Sequence, residues 1–276
     1  MKKKFLGIVF SAAILATTFT AHANEAAAVD ASELPVPLQL ALQGGLSVEK
    51  KFDAAGGLTG WIVSDGPGRN MVVFTSADGE VAIAGTMLSA QGENLTEKYI
   101  EAHAPKIDYS KHWGQLEKSN YVVEKTGKGK SKSVIYAFKD PNCGFCHLAW
   151  KALQPYVKDG LEIRWIPVAF LREDSLNKAA DMLTASDKVA AIREVNENFG
   201  KPVFKTRDVA DDVRKKVEAN NKLMAELGFR GTPAIIYKDA KGKVSTVEGM
   251  PRLSQLPEMT GMPEKVHTDP ELLRFQ

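Results

Sequence analysis

Two cysteines, Cys143 and Cys146, limit most strongly what this chain can fold into. They lie in "DPNCGFCH", are separated by two residues, and are followed directly by His147. Such a pair can be half of a zinc site, a covalent haem attachment, or a redox dithiol at the start of a helix. A structural disulfide explains little, because a loop this short barely restricts the unfolded chain.

Zinc and haem both require partners that the sequence does not offer. A closed zinc site takes four ligands, usually from a second Cys or His pair, whereas His103, His112 and His267 are scattered along the chain. The letters "CGFCH" match the haem attachment pattern, but they follow the β-rich run "SVIYAF", and no residue is marked as a distal haem ligand. The sequence therefore favours a redox dithiol that needs no metal and no cofactor.

The segments around the cysteines predict how the dithiol works. "SVIYAF" predicts a strand, and residues from Phe145 onward predict a helix, so Cys143 lies at a helix N-terminus. Free backbone N–H groups and the helix dipole stabilise a thiolate there, which lowers its pKa and makes Cys143 the nucleophile. Cys146, partly covered in the first turn, can then attack a mixed disulfide formed at Cys143.

The two residues beside the cysteines each have two interpretations. His147 is either an imidazolium that tunes the site electrostatically or an exposed side chain of the first helical turn. Phe145 is either an apolar contact beside an exposed sulfur or a core residue.

The N-terminal sequence indicates export. Residues 1–23 contain three lysines, an apolar run and an A-x-A site that closes at Ala23, as in secretory signal peptides. The whole chain carries 36 basic and 34 acidic residues, a balance that provides no general attraction to nucleic acid.

The N-terminal domain, residues 24–92, is β-like from Leu34 onward and predicts a small antiparallel sheet. "GWIVSD", "NMVVFTS" and "EVAIAG" are separated by turn sequences, among them Asp78-Gly79. A sheet of this size buries little surface alone and leaves an unpaired edge, so we expect it to form a homodimer. Residues 93–118 predict a polar linker helix that begins after Asn94 and is interrupted near Pro105.

Residues 119–262 predict a second, α/β-like domain. A strand, a helix and another strand are followed by a largely helical block from Ser175 to Leu227 and by a closing hairpin. This order predicts a central sheet covered by helices. Just before the hairpin, Gly231-Thr232-Pro233 places a proline at the start of a strand, where it marks an edge or special backbone geometry.

These motifs together resemble a known family. "FKDPNCGFCH" with "LGFRGTPAIIY" is similar to the thioredoxin-like catalytic domain of the DsbC/DsbG family of periplasmic disulfide isomerases, and "FDAAGGLTGW" and "GENL" resemble its DsbG branch. The similarity extends from about Leu34 to Gly261. The dipeptide Gly144-Phe145 is closer to the Gly-Tyr of DsbC than to the Pro-Tyr of DsbG.

The resemblance implies an α+β protein: a thioredoxin-like catalytic domain with a helical insertion, preceded by a small antiparallel-sheet dimerisation domain and a linker helix. It implies a V-shaped homodimer around a substrate cleft. Pro233 would be a cis proline opposite the cysteines, and Thr232 would abut Cys143, so that both support the dithiol with Gly144 and Phe145. Residues 263–276 have no counterpart and are expected to form a loose C-terminal tail.

The implied function is that of a periplasmic protein disulfide isomerase and reductase. It would reshuffle or reduce disulfides, or reduce sulfenylated cysteines, in misfolded or oxidised exported proteins. A membrane-bound DsbD-type reductase would supply the electrons. Two alternatives stay open: a DsbA-like oxidase that uses the same cysteines in the oxidised state, and a chaperone-like cleft-binding module that works without either cysteine.

Overall fold

A computed structural model describes residues 34–201 and 208–276, and the predicted signal peptide lies outside these residues. The strands of these described residues form two sheets, one with four strands in the N-terminal part and one with five strands in the C-terminal part. Within the two described stretches, no helix has the length and apolar character needed to cross a membrane. The predicted α+β class is confirmed.

The N-terminal sheet is an antiparallel meander in the order β1-β2-β3-β4. Its strands are β1 (Ser47–Asp53), β2 (Thr59–Ser64), β3 (Asn70–Thr75) and β4 (Ala82–Ala84). The sequence prediction of a wholly β-like segment was wrong at its start, where a helix, α1 (Val36–Gln43), precedes β1. Its Leu38 is buried against Trp61 of β2, so packing on the sheet stabilises a helix too short to be stable alone.

The predicted linker helix consists of two helices. Asn94 caps α2 (Leu95–His103) by accepting a hydrogen bond from the backbone N–H of Glu97. After the break at Pro105, a 3₁₀ turn leads into α3 (Trp113–Lys118). Leu116 of α3 is fully buried in the core beneath the second sheet. The second half of the predicted linker therefore packs with the C-terminal domain and does not act as a free spacer.

The C-terminal sheet has the strand order β5-β7-β6-β8-β9. Its strands are β5 (Val122–Glu124), β6 (Ser133–Lys139), β7 (Leu161–Pro167), β8 (Ala234–Lys238) and β9 (Val244–Glu248). Strands β6 and β7 are parallel and are connected by α4 (Gly144–Lys158), whereas the other neighbouring pairs are antiparallel. Such a parallel pair requires a crossover connection, and the helix provides it.

The remaining helices cover this sheet. Three of them form the predicted helical insertion between β7 and β8: α5 (Ser175–Thr184), α6 (Lys188–Glu197) and α7 (Asp211–Glu226). A short helix, α8 (Leu256–Thr260), follows β9. Buried apolar residues form a core on each face of the sheet, so both faces are shielded from water.

The C-terminal segment is docked, so the prediction of a loose tail was wrong. Its helix α9 (Pro270–Leu273) contributes the buried Leu272 to the core. Lys151 of α4 forms ion pairs with Asp269 and Glu271. The carbonyl of Phe275 accepts a hydrogen bond of 2.7 Å from the backbone N–H of Leu253. Apolar burial and polar contacts together hold the segment against α4.

A buried carboxylate, Glu124, joins three elements of the C-terminal domain. Its Oε2 accepts a hydrogen bond of 2.7 Å from the indole of Trp165 on β7. Its Oε1 accepts bonds of 3.2 Å from Trp150 and Gln154, both on α4. The side chain is 3% exposed, so these three donors replace the water that the carboxylate loses on folding.

We expect Glu124→Gln to lower the free energy of unfolding by about 1–3 kcal/mol, because the amide NH₂ would face an indole N–H and leave a buried donor unpaired. Urea unfolding measures the change. Glu117→Gln is the matched control, since Glu117 accepts a similar bond from Trp113 at an exposed position, and it should cost less than about 0.5 kcal/mol. Equal losses in the two variants would contradict the assigned role of Glu124.

Candidate active site

The pairing of β6 with β8 brings the two motifs together. These strands are antiparallel, and Phe138 near the end of β6 pairs with Ala234 at the start of β8. The loop that follows β6 therefore lies beside the loop that precedes β8. Cys143 is in the first loop and Thr232 in the second, so residues 89 positions apart become neighbours.

Cys143 is the N-cap residue of α4. The backbone N–H of Cys146 donates a hydrogen bond of 3.2 Å to the Cys143 sulfur. This places the sulfur at the positive end of a 15-residue helix, where a negative charge is stabilised. Cys146 lies in the first turn and is fully buried, and Cys143 is only 5% exposed. Both are free thiols, so the structure describes the reduced dithiol.

The loop before β8 faces Cys143 with oxygen atoms. The Thr232–Pro233 peptide bond is cis, and the carbonyl of Thr232 accepts a hydrogen bond of 3.0 Å from the Cys143 thiol. The Thr232 hydroxyl is buried and has no hydrogen-bond partner among the residues that the structure describes. It is therefore free to donate when the sulfur loses its proton, and Pro233 adds no N–H to this side of the site.

The environment shifts the pKa values of the two thiols in opposite directions. A hydrogen bond from the Cys146 thiol is the main cause that lowers the pKa of Cys143 to about 6. Thr232, the backbone N–H of Cys146 and the charge of Lys139 add to this effect, while burial opposes it. Burial raises the pKa of Cys146 well above its usual range, and the hydrogen bond to Cys143 adds to that. At neutral pH the pair therefore holds one thiolate and one thiol.

The side chains next to the dithiol line an open cavity of about 470 Å³. Phe145 is 51% exposed, and its ring contacts Phe275 edge to face at 6.2 Å. His147 stacks on Phe199 with the ring centres 4.9 Å apart. An added Cβ at Gly144 would touch the Phe199 ring at 3.7 Å. The cavity is therefore lined by aromatic rings together with the charged side chains of Glu271 and Arg274.

Neither interpretation of His147 describes its environment. Burial, followed by the positive charges of Lys139 and Lys151, lowers the pKa of His147, so an imidazolium is disfavoured at neutral pH. The ring is half-buried rather than exposed, because Phe199 covers it. Its contribution to the site is aromatic contact rather than positive charge.

The sequence analysis missed Asp140, which holds the loop before Cys143. This carboxylate is fully buried and accepts four hydrogen bonds of 2.9–3.0 Å. The donors are the backbone N–H groups of Asn142, Phe170 and Leu171 and the hydroxyl of Ser175. An Asp before a Pro signals a turn, but three of its four partners lie 30 or more residues away.

Other contributors also lacked a local signal. Lys139, Asn196, Phe199 and Phe275 meet the site from three separate segments, because Asn196 and Phe199 both lie at the end of α6. Only Lys139 could have been noticed, as a charged residue that ends the apolar strand "SVIYAFK". No group of three or more His, Cys, Asp or Glu side chains in residues 34–201 and 208–276 is arranged to hold a metal ion.

We expect Cys146→Ala to raise the pKa of Cys143 above about 6, because it removes the hydrogen bond that lowers this pKa most. Cys146→Ser retains a hydroxyl donor and should keep the value near that of the native chain. The pH dependence of iodoacetamide alkylation measures the half-point in each variant. The same half-point for the Ala and Ser variants would rule out the thiol hydrogen bond as the main cause.

Three curated proteins are similar to this chain over most of its length. DsbG of Pseudomonas aeruginosa is 32% identical over 86% of this chain and 93% of its own. DsbG of Escherichia coli is 29% identical over 80% and 89%, respectively. DsbC of Salmonella typhimurium is 28% identical over 87% and 89%. All three are called thiol:disulfide interchange proteins.

A family model described as a thioredoxin-like domain matches residues 122–259. This range contains both cysteines, the helical insertion and the Thr232–Pro233 loop. The chain therefore belongs to the DsbC/DsbG family of thiol:disulfide interchange proteins, and it is a thiol:disulfide oxidoreductase with a thioredoxin-like domain.

Proposed function

We propose that this protein is a periplasmic disulfide isomerase and reductase in which Cys143 is the nucleophile and Cys146 the resolving cysteine. The proposal rests on two thiols at the start of one helix, where the pKa of Cys143 is lowered and the pKa of Cys146 is raised. A reactive thiolate next to a protonated, buried thiol suits an enzyme that forms a mixed disulfide first and resolves it second.

The proposed reaction begins when the Cys143 thiolate attacks one sulfur of a substrate disulfide. The Cys143–substrate disulfide forms, and the other substrate sulfur leaves as a thiolate. In isomerisation, a substrate thiolate attacks the mixed disulfide and displaces Cys143 unchanged. In reduction, Cys146 loses its proton and attacks the Cys143 sulfur, so the substrate leaves with two electrons and the enzyme becomes oxidised.

Apolar side chains around the site support misfolded proteins as substrates. Phe145, Phe170 and Leu171 are 51%, 48% and 47% exposed, respectively. Asp140 holds the backbone of Phe170 and Leu171 in the same loop cluster as Cys143. Exposed apolar surface of this kind binds apolar segments that a folded substrate would hide. Thr232 and Pro233 face the nucleophile, and Gly144 and Phe145 separate the two cysteines.

A free sheet edge supports the proposed homodimer. In the described part of the chain, β4 pairs only with β3, and all three of its residues are exposed. Val81 and Ile83 at this edge are 55% and 50% exposed. An exposed apolar edge favours pairing with another strand, and a second copy of β4 would satisfy it. The dimer would place two catalytic domains around one substrate.

The signal-like residues 1–23 support export to the periplasm, with cleavage near Ala23. The proposed isomerase needs a reduced resting state, because only a free Cys143 thiolate can attack a mispaired disulfide. A membrane-bound DsbD-type reductase is the proposed electron donor. A resting oxidised state would instead favour the alternative function, a dithiol oxidase.

We expect acid quenching and alkylation of intact cells to show mostly reduced Cys143 and Cys146. In a host without the membrane reductase, both should become oxidised, because export exposes them to an oxidising compartment. Cys146→Ser should accumulate mixed disulfides, and Cys143→Ser should form none. An oxidised resting state in the normal host would support the oxidase. Full suppression of aggregation by a variant lacking both cysteines, without any redox phenotype, would support the chaperone-like module.

We expect the mature native protein to sediment as a dimer and Val81→Lys/Ile83→Lys to sediment as a monomer, because like charges would oppose strand pairing at the β4 edge. Val266→Lys is the matched control: Val266 is 90% exposed but lies in the C-terminal segment. This control should remain dimeric. A native monomer would contradict the proposed dimer, and a dimeric double variant would exclude this edge.

A further inference from the structure

Another cavity, of about 250 Å³, lies beside the loop that carries Cys143. Asn142, the residue before Cys143, lines it, whereas Gly144 lines the cavity described above. Phe199 lines both, so the two cavities are neighbours. The other residues that line this one are mostly charged: Arg172, Asp174, Lys178, Gly200 and Lys201. We call it the basic cavity.

Hydrogen bonds fix the basic cavity to the loop of the nucleophile. The Asn142 amide donates bonds of 2.8 Å to Asp174 Oδ1 and 2.9 Å to the Ser175 hydroxyl oxygen. Lys178 Nζ donates a bond of 2.6 Å to Asn142 Oδ1. The backbone N–H of Arg172 donates to the same Ser175 hydroxyl oxygen at 3.1 Å. The position of Arg172 relative to the nucleophile is therefore set by direct contacts.

The basic cavity carries an excess of positive charge. Its lining includes three cations and one carboxylate, that of Asp174. This carboxylate is matched by Lys178, whose Nζ lies 2.7 Å from Asp174 Oδ2. The side chains of Arg172 and Lys201 are exposed, and neither forms an ion pair with a carboxylate of the described residues. Two cations are thus left to face a ligand, and their charge is complementary to an anion.

We propose that the basic cavity is a substrate subsite that binds the carboxylate of an Asp or Glu side chain beside the oxidised cysteine of a protein substrate. The inference rests on the proposed role of Cys143 as the nucleophile. Arg172 binds the carboxylate through its planar guanidinium, and Lys201 adds a second positive charge. Both are specificity-determining residues, since neither contacts the reacting sulfurs.

The placement of the cavity limits where the acidic residue can lie in the substrate. Asn142 is bonded directly to Cys143, and neighbouring Cα atoms are about 3.8 Å apart. A carboxylate in the cavity therefore belongs to a residue within one or two positions of the substrate cysteine. Lys178 does not contribute a free charge, because its side chain is 12% exposed and its Nζ already contacts Asp174 and Asn142.

The test uses the reduced full mature chain and short peptides that each contain one cysteine as a pyridyl disulfide. The peptides are acetylated and amidated, and they carry either Asp or Asn directly before or directly after the cysteine. Attack by Cys143 forms a disulfide with the peptide and releases the pyridinethiol, which is the better leaving group and is coloured. Stopped-flow absorbance gives the second-order rate constant for each peptide.

We expect the native chain to react about threefold to tenfold faster with the better Asp peptide than with its Asn counterpart at low salt. The ratio should fall as salt is added, because salt screens exposed charges. Reaction of the same peptides with dithiothreitol, a small neutral thiol, gives the intrinsic ratio by which each enzyme ratio is divided.

Three variants test the assigned residues. The double variant Arg172→Gln/Lys201→Gln should bring the corrected ratio close to one, and Arg172→Lys should retain part of the preference. Both are expected to fold, since they change exposed side chains. Lys241→Gln is the matched control, because it removes an exposed lysine in the turn after β8, whereas the first strand residue of β8 follows the Thr232–Pro233 loop. It should keep the native ratio.

A corrected ratio of one in the native chain would overturn the inference, as would a native ratio in the double variant. Equal slowing of both peptides by the double variant, with the ratio retained, would also overturn it, because the two cations would then act on the thiolate and not on the substrate. Release by Cys143→Ser as fast as by the native chain would instead overturn the proposed nucleophile. The two failures are therefore distinguishable.

Discussion

The antiparallel pairing of β6 with β8 is the constraint on which the catalytic domain depends. It sets the end of one strand beside the start of the other, with Phe138 opposite Ala234. Because the backbone register determines where each following residue lies, the nucleophile's loop and the Thr232–Pro233 loop meet, and the Cys143 thiol can donate its hydrogen bond to the Thr232 carbonyl. Asp140 then fixes the first loop through four donors. The positions of the site residues are therefore set first by the strand register and second by the buried carboxylate of Asp140.

The two sulfurs divide the chemistry because burial raises the pKa of Cys146, and the hydrogen bond between the thiols raises it further while it lowers the pKa of Cys143. The Cys146 thiol stabilises the Cys143 thiolate by donating to it, and for the same reason it resists giving up its own proton. Such coupling makes the order of steps a property of the pair rather than of either residue. Cys146 becomes the attacking thiol only after Cys143 has bonded to a substrate sulfur, because the negative charge on Cys143 is then gone. The mixed disulfide itself thus prepares Cys146 to react.

Much of the site was predictable because its signals are local. The apolar run before Cys143 and the helical spacing after it indicate a strand and a helix, and the structure contains both. The errors concern elements that depend on distant contacts. Helix α1 is stable only against Trp61, Leu116 belongs to a core formed by the later sheet, and Phe275 lies against Phe145 from the end of the chain. The neutral state of His147 follows from burial and from lysines that sequence spacing does not bring near. The family resemblance supplied the Thr232–Pro233 contact, which local patterns alone left as a turn or a strand edge.

The docked C-terminal segment has a practical consequence for anyone who handles this protein. Phe275, the penultimate residue, contacts Phe145 between the two cysteines, and its carbonyl is bonded to Leu253. An affinity tag or fluorescent fusion attached after Gln276 would therefore emerge at the mouth of the dithiol. There it would compete with protein substrates for access to Cys143, whereas small reagents could still reach the sulfur. Labels are better introduced after the proposed signal peptide, far along the chain from the chemistry, and assays of C-terminally tagged preparations should be checked against untagged protein.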